Sequence, residues 1–380
     1  MSFKSIILCA LLFCYFPLTA AQLNSSSEVP KRPSIMFNRW QEDWSVLANP
    51  KVPREPFDEL KYIPLSKTDP HTYLSFGVNA RERFESNNAV NFGVGNSVPQ
   101  SYVISRLEAH ADLHIANQLQ SFVQLQNDNA PWKTIITPVD QDRVDLEQGF
   151  TTLVEPIGGG TFKFRVGRQQ FAFDLQRFVS VRDGPNVRQS YDAIWGDYEH
   201  GLWRYISFYS RPVIVRNIRA FDDYSTSNYT FSGFRIERKV AGLGKINSYI
   251  AHFKHDNVKY ISVSGNERRN ILDARLVGLG VALDWDFEVM GQEGSISYKK
   301  IRAWAIGSRS GYTIKKIAWQ PRIGLQFDAA SGNHDKNGNT LGTFNPLFPN
   351  GYYITLAGYT GYSNFIHVKP SLTVKPNPVF

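Results

Sequence analysis

Arginines and carboxylates occur at unusual density between residues 162 and 192 of this 380-residue chain. The stretch carries Arg165, Arg168, Arg177, Arg182 and Arg188 together with Asp174, Asp183 and Asp192. Guanidinium groups bind carboxylates and similar anions in a two-point geometry. Because a dry core could not hold so many charges without a large desolvation cost, the stretch should face water or a charged ligand.

The N-terminus indicates where that water lies. Lys4 precedes an apolar run at residues 6–16, which ends at the small residues Thr19, Ala20 and Ala21. The run is shorter than the roughly 20 residues that a membrane-spanning helix needs. Residues 1–21 are therefore predicted to be a secretory signal peptide, with export from the cytoplasm as the consequence.

The charge of the exported chain favours anionic partners. Both cysteines, Cys9 and Cys14, lie in the predicted signal, so the mature chain has none. One of the 42 basic residues, Lys4, lies there too, which leaves 41 basic against 34 acidic residues and a formal charge of +7. A basic exported protein suits anionic small molecules, anionic polymers or lipid headgroups.

The chain divides into a polar, proline-punctuated arm at residues 22–70 and a body at residues 71–380 in which the dominant period is two. In residues 73–85, Leu74, Phe76 and Val78 share one face, while Arg81 and Arg83 share the other. Residues 101–115 repeat the pattern. Alternation of this kind predicts β-strands with one apolar and one charged face.

Further alternating segments follow along the body. They lie at residues 118–126, 146–154, 161–169, 193–198, 202–209, 231–238, 246–253, 273–283, 295–306, 319–329, 352–357 and 365–374. Long strands without intervening helices, in a chain with 26 Phe and 18 Tyr, are typical of outer-membrane barrels. We expect an all-β, antiparallel transmembrane barrel of about 14–18 strands. A soluble β-sandwich or propeller is the alternative, because alternation does not say which face points inward.

In a barrel, the arginines on the charged faces would line an aqueous lumen. The candidates for binding anions there are Arg81, Arg83, Arg106, Arg165, Arg168, Arg182 and Arg188, with Glu108, Asp183 and Asp192 holding them in place. Rings of arginine select anions in pores. The alternative is that arginine–carboxylate ladders only brace a polar wall. Within the arginine-rich stretch, residues 174–188 are expected to fold into the pore as a loop that narrows it.

Other classes of function are disfavoured. The Gly-x-Ser-x-Gly motif of serine hydrolases is missing, since residues 307–311 read GSRSG, and no enzyme activity, cofactor or metal is predicted. Nucleic-acid binding is disfavoured because the arginines alternate with carboxylates on strands of an exported chain.

Several motifs resemble, in order and spacing, those of the alginate export family of outer-membrane β-barrels. They are RVGRQ at 165–169, VRDGPNVRQSYD at 181–192, LGTFNPLFPNGYY at 341–353 and HVKPSL at 367–372, and the leading segment RWQEDWSVLANP at 39–50 fits as well. The resemblance implies a monomeric barrel in the outer membrane of a Gram-negative bacterium. Its lumen would pass an anionic uronic-acid polymer or a related carboxylate, and a periplasmic export complex is a further partner to consider.

The sequence leaves two alternatives for closure of the barrel and three hypotheses for its function. Barrels of this family usually continue for several strands beyond the segment at 367–372, so either the chain is truncated at the C-terminus or this member closes with fewer strands. A non-transporting envelope barrel that binds polysaccharide or has a structural role is the second functional hypothesis, and a barrel enzyme is the third.

Overall fold

The structure is a computed structural model that describes residues 31–95, 97–355, 358 and 360–376. The predicted signal peptide lies outside the described residues. Residues 31–72, hereafter the N-terminal arm, contain two 3₁₀ turns, Arg39–Gln41 and Trp44–Ala48, and one short helix, α1 (Asp58–Lys61). Trp44, Leu47 and Val52 of the arm pack on Tyr73. Within the described part of the chain, no helix is long and apolar enough to cross a membrane.

One antiparallel sheet forms the body. Its strands are β1 (Ile63–Pro64), β2 (Tyr73–Asn87), β3 (Gln100–Ile115), β4 (Leu119–Asn129), β5 (Asp142–Ile157), β6 (Gly160–Gln169), β7 (Tyr191–His200), β8 (Trp203–Pro212), β9 (Tyr229–Val240), β10 (Gly244–Lys259), β11 (Ser264–Leu279), β12 (Leu283–Ile296), β13 (Lys299–Thr313), β14 (Arg322–Ala330), β15 (Thr340–Leu341) and β16 (Phe365–Thr373). Each long strand pairs with the next along the chain, and β14 pairs with β16. The two-residue β15 pairs with β13 in parallel.

The faces of the sheet have the polarity of an outer-membrane barrel. Apolar side chains such as Val78, Phe84 and Ile250 are exposed, at 64%, 68% and 59%, whereas charged residues of the other face, such as Arg106 and Glu108, are buried. Backbone groups in lipid must pair internally, and the outward side chains must be apolar. The predicted barrel class is therefore confirmed. A soluble sandwich would bury the apolar face instead.

The connections differ at the two ends of the strands. At one end lie short turns such as 116–118, 158–159 and 201–202, together with the N-terminal arm. At the other end lie the long connections 88–99, 130–141, 170–190, 213–228 and 331–364. Outer-membrane barrels have short periplasmic turns and longer extracellular loops, so the arm is at the periplasmic end and the long connections are at the extracellular end.

The outermost long strands are β2 and β16. Within the described residues no ladder joins them, and the free side of β2 is covered only by β1, through the pairs Ile63–Leu74 and Pro64–Tyr73. Backbone groups along an unpaired strand edge need another partner in lipid.

Three details of the strand prediction were wrong. Residues 352–355, predicted as the start of a strand, lie in the connection 331–364 without strand structure. The segment 295–306, predicted as one strand, is broken by a turn at 297–298. The long strand β12 (Leu283–Ile296) was missed. Ser297 forms the turn with φ 50°, and the turn contains no glycine, proline or asparagine to mark it strongly.

Candidate functional site: a filled, arginine-clamped lumen

The connection between β6 and β7, residues 170–190, folds into the interior and is called the lumen loop below. Three of its non-glycine residues, Asp174, Gln176 and Arg182, have φ between 55° and 59°. Side chains rarely adopt this left-handed region unless the surrounding structure imposes it. The lumen loop is therefore held in one shape by its contacts.

Apolar residues of two connections fill the centre of the lumen and are called the plug. They are Phe171, Phe173, Phe178 and Val179 of the lumen loop and Phe344, Leu347, Phe348, Tyr353, Ile354 and Tyr362 of the connection 331–364. Phe348 is fully buried, with ring centroids 5.2 Å from Tyr191, 5.6 Å from Phe231 and 6.2 Å from Phe253 on inward-facing strand positions. The plug thus attaches to the wall by aromatic packing.

The two halves of the plug are joined through their backbones. The Ser180 N–H donates to the Phe348 carbonyl at 2.9 Å, and the Phe348 N–H donates to the Phe178 carbonyl at 2.9 Å. Gly184 lies against the ring of Tyr352, where a Cβ would come within 2.2 Å of the ring atoms. A side chain at position 184 would push the two connections apart.

Arg81 of β2 lies opposite Arg106 of β3. Both side chains bind the tip of the lumen loop, residues 183–186. Arg81 donates to the carbonyls of Asp183 at 2.9 Å and Pro185 at 3.0 Å. Arg106, 2% exposed, donates from Nε to the Asn186 carbonyl at 2.8 Å and from Nη1 to the Asp183 carboxylate at 2.6 Å. Both guanidiniums are thus engaged by the loop.

Glu108, Arg188 and Asp183 form a second contact between wall and loop. The Arg188 guanidinium donates to Glu108 Oε1 at 2.7 Å and to Asp183 Oδ1 at 3.0 Å, and it lies 4.3 Å from the ring centroid of Phe37 in the N-terminal arm. Burial opposes ionisation of the Asp183 carboxyl, but Arg188 and Arg106 outweigh it and hold its pKa below the usual value.

Arg168 of β6 binds the carboxylate of Asp192 on the neighbouring strand, at 2.9 Å and 3.3 Å. It also donates to the Leu146 carbonyl at 3.1 Å and lies 3.6 Å from Asp145. This arrangement braces the wall, which is the alternative reading of the arginine–carboxylate pairs.

The three remaining predicted arginines are Arg83, Arg182 and Arg165. Arg83 pairs with Glu85 at 2.7 Å. Arg182, which lies 5.8 Å from the Phe348 ring, donates to Gln189 and to the Leu347 carbonyl, both at 3.4 Å. Neither Arg182 nor Arg165 forms an ion pair within the described part of the chain.

Arg165 faces a cavity of about 520 Å³ near the periplasmic end, called the periplasmic cavity. The Arg165 guanidinium donates to Thr152 Oγ1 at 2.9 Å and lies 3.8 Å from the Trp40 ring centroid and 4.5 Å from that of Phe150. The charged residues that line the cavity are Lys163, Arg165, Arg204, Arg235, Lys245 and Arg275, against Asp174, Asp197 and Glu237. Basic side chains outnumber acidic ones two to one.

A second cavity, of about 690 Å³, lies at the extracellular end. Its charged lining consists of Arg83 and Lys133 with Glu85 and Asp140, so it is balanced in charge. The lumen loop contributes to both cavities, with Asp174 in the first and Pro185 in the second.

The model of a family described as alginate export matches residues 72–379, which is more than half of the chain. The chain belongs to the alginate export family. The family resemblance inferred from the sequence motifs is thereby confirmed, and membership supports an outer-membrane transport channel.

Solved structures similar to this alginate export family member include outer-membrane proteins of low sequence identity. OccAB4 of Acinetobacter baumannii is 8% identical, with 68% of this chain and 67% of that chain covered and a TM-score of 0.45. OccK11 (OpdR) of Pseudomonas aeruginosa is 10% identical, with 72% and 66% covered and a TM-score of 0.42. OmpF of Salmonella typhi is 9% identical, with 80% and 97% covered and a TM-score of 0.33. No curated protein sequence matches this family member.

Several residues of the periplasmic cavity in this family member were not among the sequence candidates. Lys163 shares its strand face with Arg165, and Arg235 shares its face with Glu237, so the period of two contained the signal. Trp40 could not be found in this way, because it lies in the arm and reaches the cavity only through the fold.

Proposed function

We propose that the chain passes anionic saccharides of the alginate-like polyuronate class, or related carboxylates, across the outer membrane. One observation carries the proposal: the periplasmic cavity has twice as many basic as acidic side chains, and Arg165 there forms no ion pair within the described residues. An unpaired guanidinium over an aqueous cavity is a binding group for a carboxylate. Family membership supports the same substrate class.

In this proposal the sugar acid binds first at Arg165 and Lys163 and then moves along the lumen. The ring of Trp40 lies over the Arg165 guanidinium, so in this proposal Arg165 binds the sugar acid once the N-terminal arm moves aside. The arginines that grip the lumen loop, Arg81 and Arg106, become available to the substrate only when the loop moves. The described conformation is therefore the closed state of a gated channel.

Single-channel recording in a planar bilayer tests the proposal. We expect an anion-preferring conductance that oligouronates block from the periplasmic side. Oligouronates should block the double variant Lys163→Gln with Arg165→Gln several-fold more weakly than the original chain. They should block the outward-facing double variant Lys300→Gln with Arg302→Gln as strongly as the original chain. A cation preference, or equal block of both double variants, would overturn the proposal.

The filled lumen favours a second candidate function, a non-transporting envelope barrel that binds polysaccharide. The plug joins two connections and packs against strands around the wall. This candidate predicts saturable binding of polyuronate without conductance, even when the plug is loosened by substitution. Conductance and binding measured on the same preparation distinguish the two functions.

A further inference from the structure

Four neighbouring strands, β10 to β13, carry charges on their lipid-facing side only at the extracellular end. The middle of that side is apolar, as the exposed Ile250, Val289 and Ile306 show. Its lysine, arginine, aspartate and glutamate side chains are Lys254, Asp256, Arg268, Glu293, Lys300 and Arg302. On the lipid face of a barrel, charges are costly at the bilayer midplane and nearly neutral at the interfaces. These residues therefore lie at the level of the lipid headgroups of the outer leaflet.

Three of the four cations lie in one row across the sheet, called the cation row below. Lys254 of β10 lies directly opposite Arg268 of β11. On the next two strands, Ser295 and then Lys300 continue the row in register. Neighbouring strands are about 4.8 Å apart, so the row spans roughly 14 Å. Like charges directly opposite each other on a sheet are destabilising, and an anion bound beside the row would relieve this repulsion.

Carboxylates of the chain balance these cations only in part. The carboxylate of Asp256 is shared, because it lies 2.7 Å from Arg268 and 3.7 Å from Lys254. Lys300 and Arg302 are exposed, and neither forms an ion pair within the described part of the chain, although Glu293 is the register partner of Arg302. Four cations thus accompany two carboxylates on this surface, and its net charge is positive.

A cavity of about 430 Å³ opens beside the cation row, between β13 and residues 331–342. Arg302 and Trp304 line it on the strand side, and the polar side chains of Asn333, Asp335 and Thr340 line it on the other. Trp304 is 48% exposed, and tryptophan side chains of membrane proteins are enriched at the level of the headgroups. The cavity therefore places hydrogen-bonding groups beside the cations, at the depth of a lipid headgroup.

We propose that the cation row binds the phosphate groups of a phosphorylated glycolipid of the outer leaflet, with a sugar of its headgroup in the adjoining cavity. Ammonium and guanidinium groups bind phosphates through charge-assisted hydrogen bonds. A row of cations that spans roughly 14 Å suits a headgroup with two phosphates better than a phospholipid with one. The row is on the outside of the barrel, so this inference is independent of the substrate proposed for the lumen.

Native mass spectrometry of the full chain, released from micelles that contain one added lipid at a time, tests the proposal. We expect diphosphoryl lipid A to bind more tightly than monophosphoryl lipid A or phosphatidylglycerol. The double variant Lys254→Gln with Arg268→Gln should bind diphosphoryl lipid A about 25-fold more weakly, because each cation near an anionic lipid surface contributes about fivefold. The matched control, Lys315→Gln with Lys316→Gln, removes two exposed lysines from the periplasmic turn 314–321 and should bind as the original chain does.

A single variant keeps the test decisive if the double variant folds poorly. Lys300→Gln changes an exposed side chain without breaking an ion pair among the described residues, so its Tm should be unchanged. It should bind diphosphoryl lipid A about fivefold more weakly than the original chain. Equal binding of diphosphoryl lipid A and either single-phosphate lipid would overturn the assignment. Unchanged affinity in Lys300→Gln and the double variant, or an equal loss of affinity in the control, would overturn it as well.

Discussion

The guanidinium of Arg165 lies 3.8 Å from the centroid of the Trp40 ring, which joins the N-terminal arm to the wall of the lumen. The Trp40 carbonyl also accepts a hydrogen bond from Gln120 Nε2 at 2.8 Å, and its ring meets Phe150 edge-on at 5.8 Å. The arm therefore covers the periplasmic mouth at the position where Arg165 would meet a substrate.

Replacing Trp40 by alanine should uncover Arg165. A cation–π contact of this kind contributes about 0.5–2 kcal/mol, so we expect stronger oligouronate block at low concentration or a higher open probability in bilayer recordings. Trp40→Phe keeps an aromatic face and should stay close to the original chain. If the alanine variant behaves like the phenylalanine variant, the arm does not restrict access to Arg165.

Loosening the plug should raise the basal conductance. Phe348→Ala removes a fully buried ring that packs on Tyr191, Phe231 and Phe253, at a cost of about 3–5 kcal/mol. We expect a lower Tm and faster release of small solutes from proteoliposomes. Phe84→Ala, on the lipid-facing surface at 68% exposed, is the control and should not increase release. Tight proteoliposomes with Phe348→Ala would show that the plug does not close the lumen.

Arg106 should be the most sensitive of the arginines that hold the lumen loop. Its removal takes the guanidinium donor from the Asn186 carbonyl and breaks the ion pairs with Asp183 at 2.6 Å and Asp128 at 3.6 Å. Breaking one partner of a buried ion pair costs about 3–5 kcal/mol, so Arg106→Leu should lower the urea midpoint and expose residues 183–186 to protease. Arg302→Leu, which faces outward, should do neither. Equal protease resistance in both variants would show that Arg106 does not hold the lumen loop in place.

The docking of the lumen loop should weaken in acid. Arg188 and Arg106 hold the pKa of the Asp183 carboxyl below its usual value in the folded protein, whereas the unfolded chain titrates near about 3.9. The stabilising contribution is therefore complete above the unfolded pKa and is lost as pH falls through the lower, folded pKa.

The matching measurement is Tm as a function of pH. Between about pH 6 and pH 2.5, the original chain should lose more stability than Asp183→Asn, and the two curves should converge at the acid end. Glu59→Gln, at an exposed position of the N-terminal arm, should follow the original chain. Parallel curves for the original chain and Asp183→Asn would show that the carboxylate does not stabilise the loop.

The sequence by itself determined the strands and their faces. Alternation along 73–85 and 101–115 follows from the pleat, which points successive side chains to opposite sides, and β2 and β3 confirm it. Strand β12 was missed although Trp285 and Phe287 alternate with Asp286 and Glu288, because the turn after it carries no glycine or proline. The barrel class needed one further fact, that the apolar face is the exposed one.

Only the tertiary structure decided which of the arginines remain available to bind an anionic substrate. Arg177 donates a hydrogen bond of 2.7 Å to the hydroxyl of Tyr353, which lies 176 residues away in the sequence. Arg106 donates to the carboxylate of Asp183, which lies 77 residues away. Contacts over such separations depend on how the long connections enter the lumen, which local periodicity does not encode. The sequence predicted that seven arginines line the lumen. The fold then used most of them to hold a plug in place and left Arg165, beside Trp40, facing the periplasmic cavity without an ion-pair partner among the described residues.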